Sequence, residues 1–312
     1  MSSQFRYLLT YEQMVTTLLR AHPQDEAMAR AVGGDYERFG VLEHALLRAA
    51  GLRPDSCVVD VGCGSGRLAC QLARYGSLRY LGTDVVPALL QYARRRAGRD
   101  DFRFEHVDRI ALPAPDGEAD LVAFFSVFTH LLPEESFVYL TEAHRALKPG
   151  GKVVFSFLEY GTPESWQVFE GNLNWVRTRA IAGHLNVFLN RADLRLWAER
   201  LGFAVAGFQA GAKRNVTVDE AAATPEVPPG DYAFGQSICV LEKPEGASEA
   251  PPAGGAGRER RRAARAERRR RARGAGSELG GPQDRPPGGA AASEREGAAP
   301  MAAKRRNERK RR

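Results

Sequence analysis

The stretch VVDVGCGSGRLA (58–69) constrains this chain more than any other. Strand-forming residues run into three alternating glycines and then into helix formers, so a buried strand must turn sharply and open a helix. Gly62, Gly64 and Gly66 let the backbone bend and approach a ligand closely, and the first turn of the helix presents N–H groups without intrahelical partners. The same rhythm recurs through RLACQLARYG (67–76), RYLGT (79–83), VPALLQYARRRA (86–97), FRFEHV (102–107), DLVAFFSV (120–127), EESFVYLTEAHRAL (134–147) and KVVFSFL (152–158). Strand alternating with helix predicts βαβ units and a parallel sheet covered on both faces.

Other elements frame this run. YEQMVTTLLR (11–20) reads as a helix, AHPQD as a break, and DYERFGVLEHALLRAAGL (35–52) as a helix whose Phe39, Leu42, Ala45, Leu46 and Ala49 form one apolar stripe ended by Gly51. Residues 1–52 are therefore expected to form a helical lid and 53–243 the ligand-binding domain. ADLRLWAERLG (192–202) is a further helix, with Asn190 as its cap. FAVAGFQAG (203–211) and SICVLEK (237–243) follow as two strands with no helix between them, which predicts antiparallel pairing at the sheet edge.

Dinucleotide folds use a similar loop, but their fingerprint places its third glycine at position 67, which here is Arg67. An acidic residue ending the first strand and then GxGxG, matched by Asp60, Gly62, Cys63, Gly64 and Gly66, resembles instead the class I S-adenosylmethionine (SAM)-dependent methyltransferases. The likeness continues in order along the chain. LGTDVV puts Asp84 and Val85 where that family has its ribose-binding acid, 18 residues after Gly66. FEHVDRI puts Asp108 and Arg109 at its adenine position, FSVF puts Phe125 and Ser126 at its fourth motif, and LKPGG (147–151) matches its turn into strand five. The branch it is most similar to has an SVFTHL-type fourth motif, which fixes no substrate. The resemblance implies a Rossmann-like, doubly wound α/β fold with a seven-stranded, mainly parallel sheet whose last strand is antiparallel, and SAM as co-substrate. Singly, each acid has a plainer role: Asp60 and Asp84 as caps, and Asp108 in a surface ion pair with Arg109.

Methyl transfer is an in-line displacement, so the protein aligns the acceptor and takes up its proton. His130 in FTHL, just past the fourth strand, is a candidate base, or else it packs beneath the next helix. Glu159 and Tyr160 follow the fifth strand and face the pocket mouth, unless they are simply polar loop residues. Residues 161–188 occupy the family's place for a substrate cover and carry Trp166, Asn172, Asn174, Trp175, Arg177, His184 and Asn186; an ordinary helical insertion accounts for them equally. Tyr7, Tyr11 and the turn Gly33-Gly34-Asp35 are lid candidates near the cofactor's methionine end. FSVF is not the (N/D/S)PP(Y/F/W) motif of adenine and glutamine amino-methyltransferases, and no Pro-Cys nucleophile is present, so both routes of base methylation are disfavoured.

Composition divides the chain. Residues 244–312 hold 19 of the 45 Lys and Arg and 9 of the 38 Asp and Glu, a surplus of ten positive charges, whereas residues 1–243 hold 26 basic and 29 acidic side chains. Basicity thus belongs to the tail alone, which lacks aromatic residues and is expected to be disordered. Its stretches 258–273 and 304–312 suit a non-specific RNA or acidic partner. The four cysteines form no CxxC pair and no Cys/His metal cluster, and no apolar run spans a bilayer, so reduced thiols and a cytoplasmic location are expected. The leading expectation is methylation of O or N in a small or medium-sized organic molecule. RNA methylation through the tail and a catalytically silent SAM-binding module are the alternatives.

Overall fold

Val58 and Val59 sit side by side in β1 (Cys57–Val61) and feed opposite cores, as the two-residue period of a strand requires. The computed structural model describes residues 8–178 and 185–246. Three helices precede β1: α1 (Leu8–Ala21), α2 (Gln24–Ala31) and α3 (Tyr36–Ala49). After it come α4 (Arg67–Leu72), β2 (Arg79–Asp84), α5 (Pro87–Ala97), β3 (Arg103–His106), β4 (Ala119–Phe124), α6 (Pro133–Ala146), β5 (Leu147–Phe157) and α7 (Pro163–Thr178). The chain continues through α8 (Arg191–Leu201), β6 (Ala204–Gln209), β7 (Val216–Val218), β8 (Gly230–Tyr232) and β9 (Ser237–Glu242).

The large sheet has seven strands in the order β3-β2-β1-β4-β5-β9-β6. β3, β2, β1, β4 and β5 pair in parallel, and β9 runs antiparallel to both its neighbours. The fold is the Rossmann-like α/β architecture expected. Val58 packs with Leu42, Leu46, Leu68 and Leu90 from α3, α4 and α5; Val59 and Val61 pack with Tyr139 and Leu140 of α6 and Leu194 of α8. α3 lies close to α4 because Gly40 has no side chain: a Cβ there would stand 2.7 Å from the Arg67 carbonyl oxygen. A third, smaller core joins Val15 and Met28 of α1 and α2 to Leu89 and Tyr92 of α5.

Four elements depart from the sequence reading. The break AHPQD is only a corner at Pro23, after which α2 forms; its sequence, QDEAMARA, has a weak apolar stripe and is completed by packing on α5. LKPGG is not a turn but the start of β5, with a register shift opposite Ala119–Leu121. β6 and β9 do pair antiparallel, yet β9 inserts between β5 and β6, so β6 is the edge. The β7–β8 pair, which intervenes between them, packs on α3 through Val216 and Val218. No helix among the described residues is long and apolar enough to cross a membrane. The expectations placed on Tyr7, His184 and the tail segments 258–273 and 304–312 lie outside the described residues.

Candidate functional site

β1 leads to β2 and β3 on one side and its other neighbour is β4, so the sheet reverses direction between β1 and β4, and open α/β sheets bind ligands at the carboxyl end of that point. A cavity of about 560 Å³ opens there, a size typical of small-molecule pockets. Sheet order distributes its walls. Asp60, Gly62, Cys63 and Gly64 come from the end of β1 and the turn after it, Asp84 and Val85 from the end of β2 and the residue after it, and Phe125, Ser126 and His130 from the segment after β4.

The glycine turn holds its shape through backbone that only glycine adopts readily. Gly62, Gly64 and Gly66 have φ of 68°, 55° and 85°. A Cβ on Gly62 would come within 2.6 Å of the Val127 side chain, and one on Gly64 within 2.5 Å of Val32. Gly66 serves packing instead: it caps α4 and its missing side chain admits Ala93 of α5. Of the three, only Gly62 and Gly64 line the cavity.

Three buried carboxyl groups line one side. Asp84 accepts the Gly64 N–H at one oxygen and the Val86 N–H at the other, both at 2.9 Å. Burial pushes its acid strength down, while these backbone donors oppose the shift. Asp60 accepts the Tyr80 hydroxyl at 2.7 Å. Burial first, and the Glu43 carboxylate second, raise its pKa to about 7. Glu43, from α3, is itself pushed upward by burial, with Arg67 opposing at 2.6 Å. Arg67 also donates to the Val32 carbonyl at 2.8 Å, tying α4 to the end of α2.

Past β4 the wall is built around Ser126, a non-glycine residue at φ 59°. Its N–H donates to Ser156 Oγ (2.7 Å), the Ser156 hydroxyl donates to Gln236 Oε1 (2.7 Å), and the Gln236 amide donates back to Ser126 Oγ (3.0 Å). This closed ring of hydrogen bonds holds the left-handed backbone in place. His130 follows, its N–H bonded to the Val127 carbonyl and its ring edge-on to Tyr11 of α1 at 5.5 Å. Tyr11, Met14, Ala31, Val32 and Gly33 bring the N-terminal helices onto the same cavity, and Trp175 and Asn186 bring in the 161–188 stretch.

Not every residue singled out in the sequence gathers here. Asp108 and Arg109 are exposed and line a separate small concavity, because β3 ends at His106 and Val107 takes the wall position. Glu159 is held by Arg191 in a bidentate pair (2.7 and 2.9 Å) and accepts the Ser237 hydroxyl at 2.5 Å. Partial burial alone would raise its pKa, but Arg191 and Ser237 bring it below the ordinary carboxylate range, which suits an anchor of α8 better than a base. Tyr160 is half exposed and stacks on Phe188 at 4.8 Å, away from the cavity lining. Trp166 is exposed too, and bonds Glu170. Conversely, Glu43, Val107 and Gln236 line the cavity without having been singled out. Glu43 had a sequence signal, a carboxylate four residues after Phe39 at the border of an apolar stripe. Gln236 had none.

Residues 59–155 match the family model described as "Methyltransferase domain". The sterol 24-C-methyltransferase of Pneumocystis carinii (strain B80) is 27% identical over 158 residues, 47% of this chain and 40% of that protein. The demethylmenaquinone methyltransferase of Deinococcus radiodurans is 36% identical over 111 residues, 35% of this chain and 44% of that protein. The chain thus spans less than half the length of both curated relatives. A solved complex of the Haloferax volcanii Trm112 methyltransferase activator contains a chain of similar fold, with a TM-score of 0.52 and 23% identity over 75% of this chain and 98% of that one.

Proposed function

With residues 59–155 forming a methyltransferase domain of the class I, SAM-dependent kind, we propose that this chain transfers the methyl group of SAM to O or N of a small or medium-sized organic molecule. The observation that carries the reading is the convergence of the glycine turn, Asp60 and Asp84 on one cavity that continues past β4 to His130. The donor set suits this cofactor. Asp84 uses one lone pair on each oxygen for backbone N–H groups, which leaves acceptor capacity on both for a ribose diol. Val85, Leu89 and Val107 offer an apolar wall for a purine. Glu43 and Asp60 supply carboxyl oxygens that can accept hydrogen bonds from an ammonium. Cys63 adds a buried, uncharged surface, since burial holds its thiol protonated.

When bound, SAM supplies an electrophilic methyl group; alignment and proton uptake fall to the chain. The ring of Ser126, Ser156 and Gln236 fixes the wall past β4, and His130 holds the position for accepting a proton from a hydroxyl or ammonium acceptor. Tyr11, Met14 and Gly33 act as the lid that excludes water. The test is label transfer: the full chain, incubated with SAM carrying a labelled methyl and a panel of neutral hydroxyl and amine acceptors, yields labelled product. Replacing His130 by Ala lowers turnover with little change in SAM affinity. Equal turnover in that variant would remove His130 from the chemistry.

The tail supports a second reading, in which an RNA-bearing substrate is tethered through the arginines of 258–273 and the cluster 304–312. A basic segment attached to an acidic domain is the feature that favours it.

A further inference from the structure

Asn186 lines the cavity wall on a clamped stretch of backbone. The Asn172 amide donates to the Asn186 carbonyl at 2.8 Å, and Asn172 Oδ1 accepts the Asn186 N–H at 3.1 Å. The residues that follow are fixed too, with the Val187 N–H on the Thr129 carbonyl (2.8 Å) and the Leu189 N–H on the Leu158 carbonyl (2.9 Å). Tertiary hydrogen bonds and a single parallel bridge between Leu158 and Phe188 therefore hold this main chain in place. The Asn186 side-chain amide has no hydrogen-bond partner among the described residues. It retains two donors and one acceptor oxygen for a ligand. Trp175, three residues beyond Asn172 and so on the same face of α7, lines the same cavity and has no ring partner among the described residues.

Charge limits what such a wall can take. Among the described lining residues, both guanidinium groups are already paired, Arg67 with Glu43 at 2.6 Å and Arg30 with Glu26 at 2.8 Å. Asp60 and Asp84 bring further acid. Among the described lining residues, an anionic acceptor meets carboxyl groups and no unpaired guanidinium, whereas a neutral, flat molecule meets an amide and an indole face.

We propose that Asn186 is a specificity-determining residue, positioned by Asn172, that recognises a neutral methyl acceptor through a group able both to donate and to accept a hydrogen bond, with Trp175 stacking on its ring. The assignment rests on the methyl-transfer reading above. It is tested with the 15N-labelled full chain saturated with S-adenosylhomocysteine, using phenol as the neutral probe and benzoate as its anionic counterpart. The Asn186 side-chain resonances, identified by their loss in Asn186→Leu, shift with phenol and stay in place with benzoate. Asn186→Leu weakens phenol binding about tenfold, the equivalent of one hydrogen bond, and leaves S-adenosylhomocysteine affinity unchanged, which also shows that the variant is folded. Asn172→Ala moves the Asn186 resonances and weakens phenol binding as well. An absence of phenol binding, phenol binding without a shift at Asn186, or an equal response to benzoate overturns the proposal. A chain that does not bind S-adenosylhomocysteine overturns the methyl-transfer reading, and this assignment falls with it.

Discussion

Asp60 shows how one side chain can link the glycine turn to the pH response of the fold. Its pKa rises from 3.8 to about 7, so ionisation is less favourable in the folded chain than in the unfolded one. The stabilising contribution of the protonated group is complete below about pH 4, declines as the pH rises toward 7, and is absent above it. Asp60→Asn keeps an acceptor for the Tyr80 hydroxyl and removes this titration. The difference in melting temperature between variant and parent is expected to grow in the variant's favour from pH 4 to 7 and then level off; a difference that shrinks over that range would contradict the assignment. Asp84→Ala removes the ribose acceptor and should weaken SAM binding by about 1–3 kcal/mol, the cost of hydrogen bonds to a charged group, as measured by calorimetry. Both acids were legible in the sequence because each adjoins a strand end, a local feature. Glu43 and Gln236 were not marked as a site, since each reaches the cavity through contacts with residues far along the chain, whereas Asn186 was marked only as one of several residues of the 161–188 stretch. Asp108 and Arg109 show the reverse: both were marked in the sequence, but it is Val107 that lines the cavity, while they line a separate small concavity.

At the scale of elements, the approach of α3 to α4 sets the Glu43–Arg67 pair and hence one wall of the cavity. Gly40→Ala would place a Cβ 2.7 Å from a backbone oxygen that cannot swing aside. Denaturant unfolding is expected to show a loss of about 1–3 kcal/mol, the usual cost of overpacking, with SAM affinity reduced as well. Stability equal to the parent would mean that the two helices separate freely. The strands were legible because buried parallel strands read as continuous apolar runs, and β1 matched residue for residue. α2 and the β7–β8 pair were not, because their short segments gain order only by packing on α5 and α3. The placement of β9 was equally hidden: a strand's sequence records its two faces and not its neighbours, so antiparallel pairing could be foreseen while insertion beside β5 could not.

Across the whole molecule, charge is distributed against the simplest reading of its average. An overall surplus of seven positive charges conceals a slightly acidic 1–243 and a strongly basic 244–312. If the tail tethers RNA, the full chain binds a mixed-sequence RNA with an affinity that falls steeply with salt, and replacing the arginines of 258–273 by Gln flattens that slope without altering SAM binding. An unchanged slope would leave those arginines without that role. The central claim concerns the folded unit, and it is tested most directly by isothermal titration of the full chain with SAM, S-adenosylhomocysteine and NAD. Saturable binding of the first two and none of NAD is the predicted result. Binding of NAD alone, or of none of the three, would contradict the account.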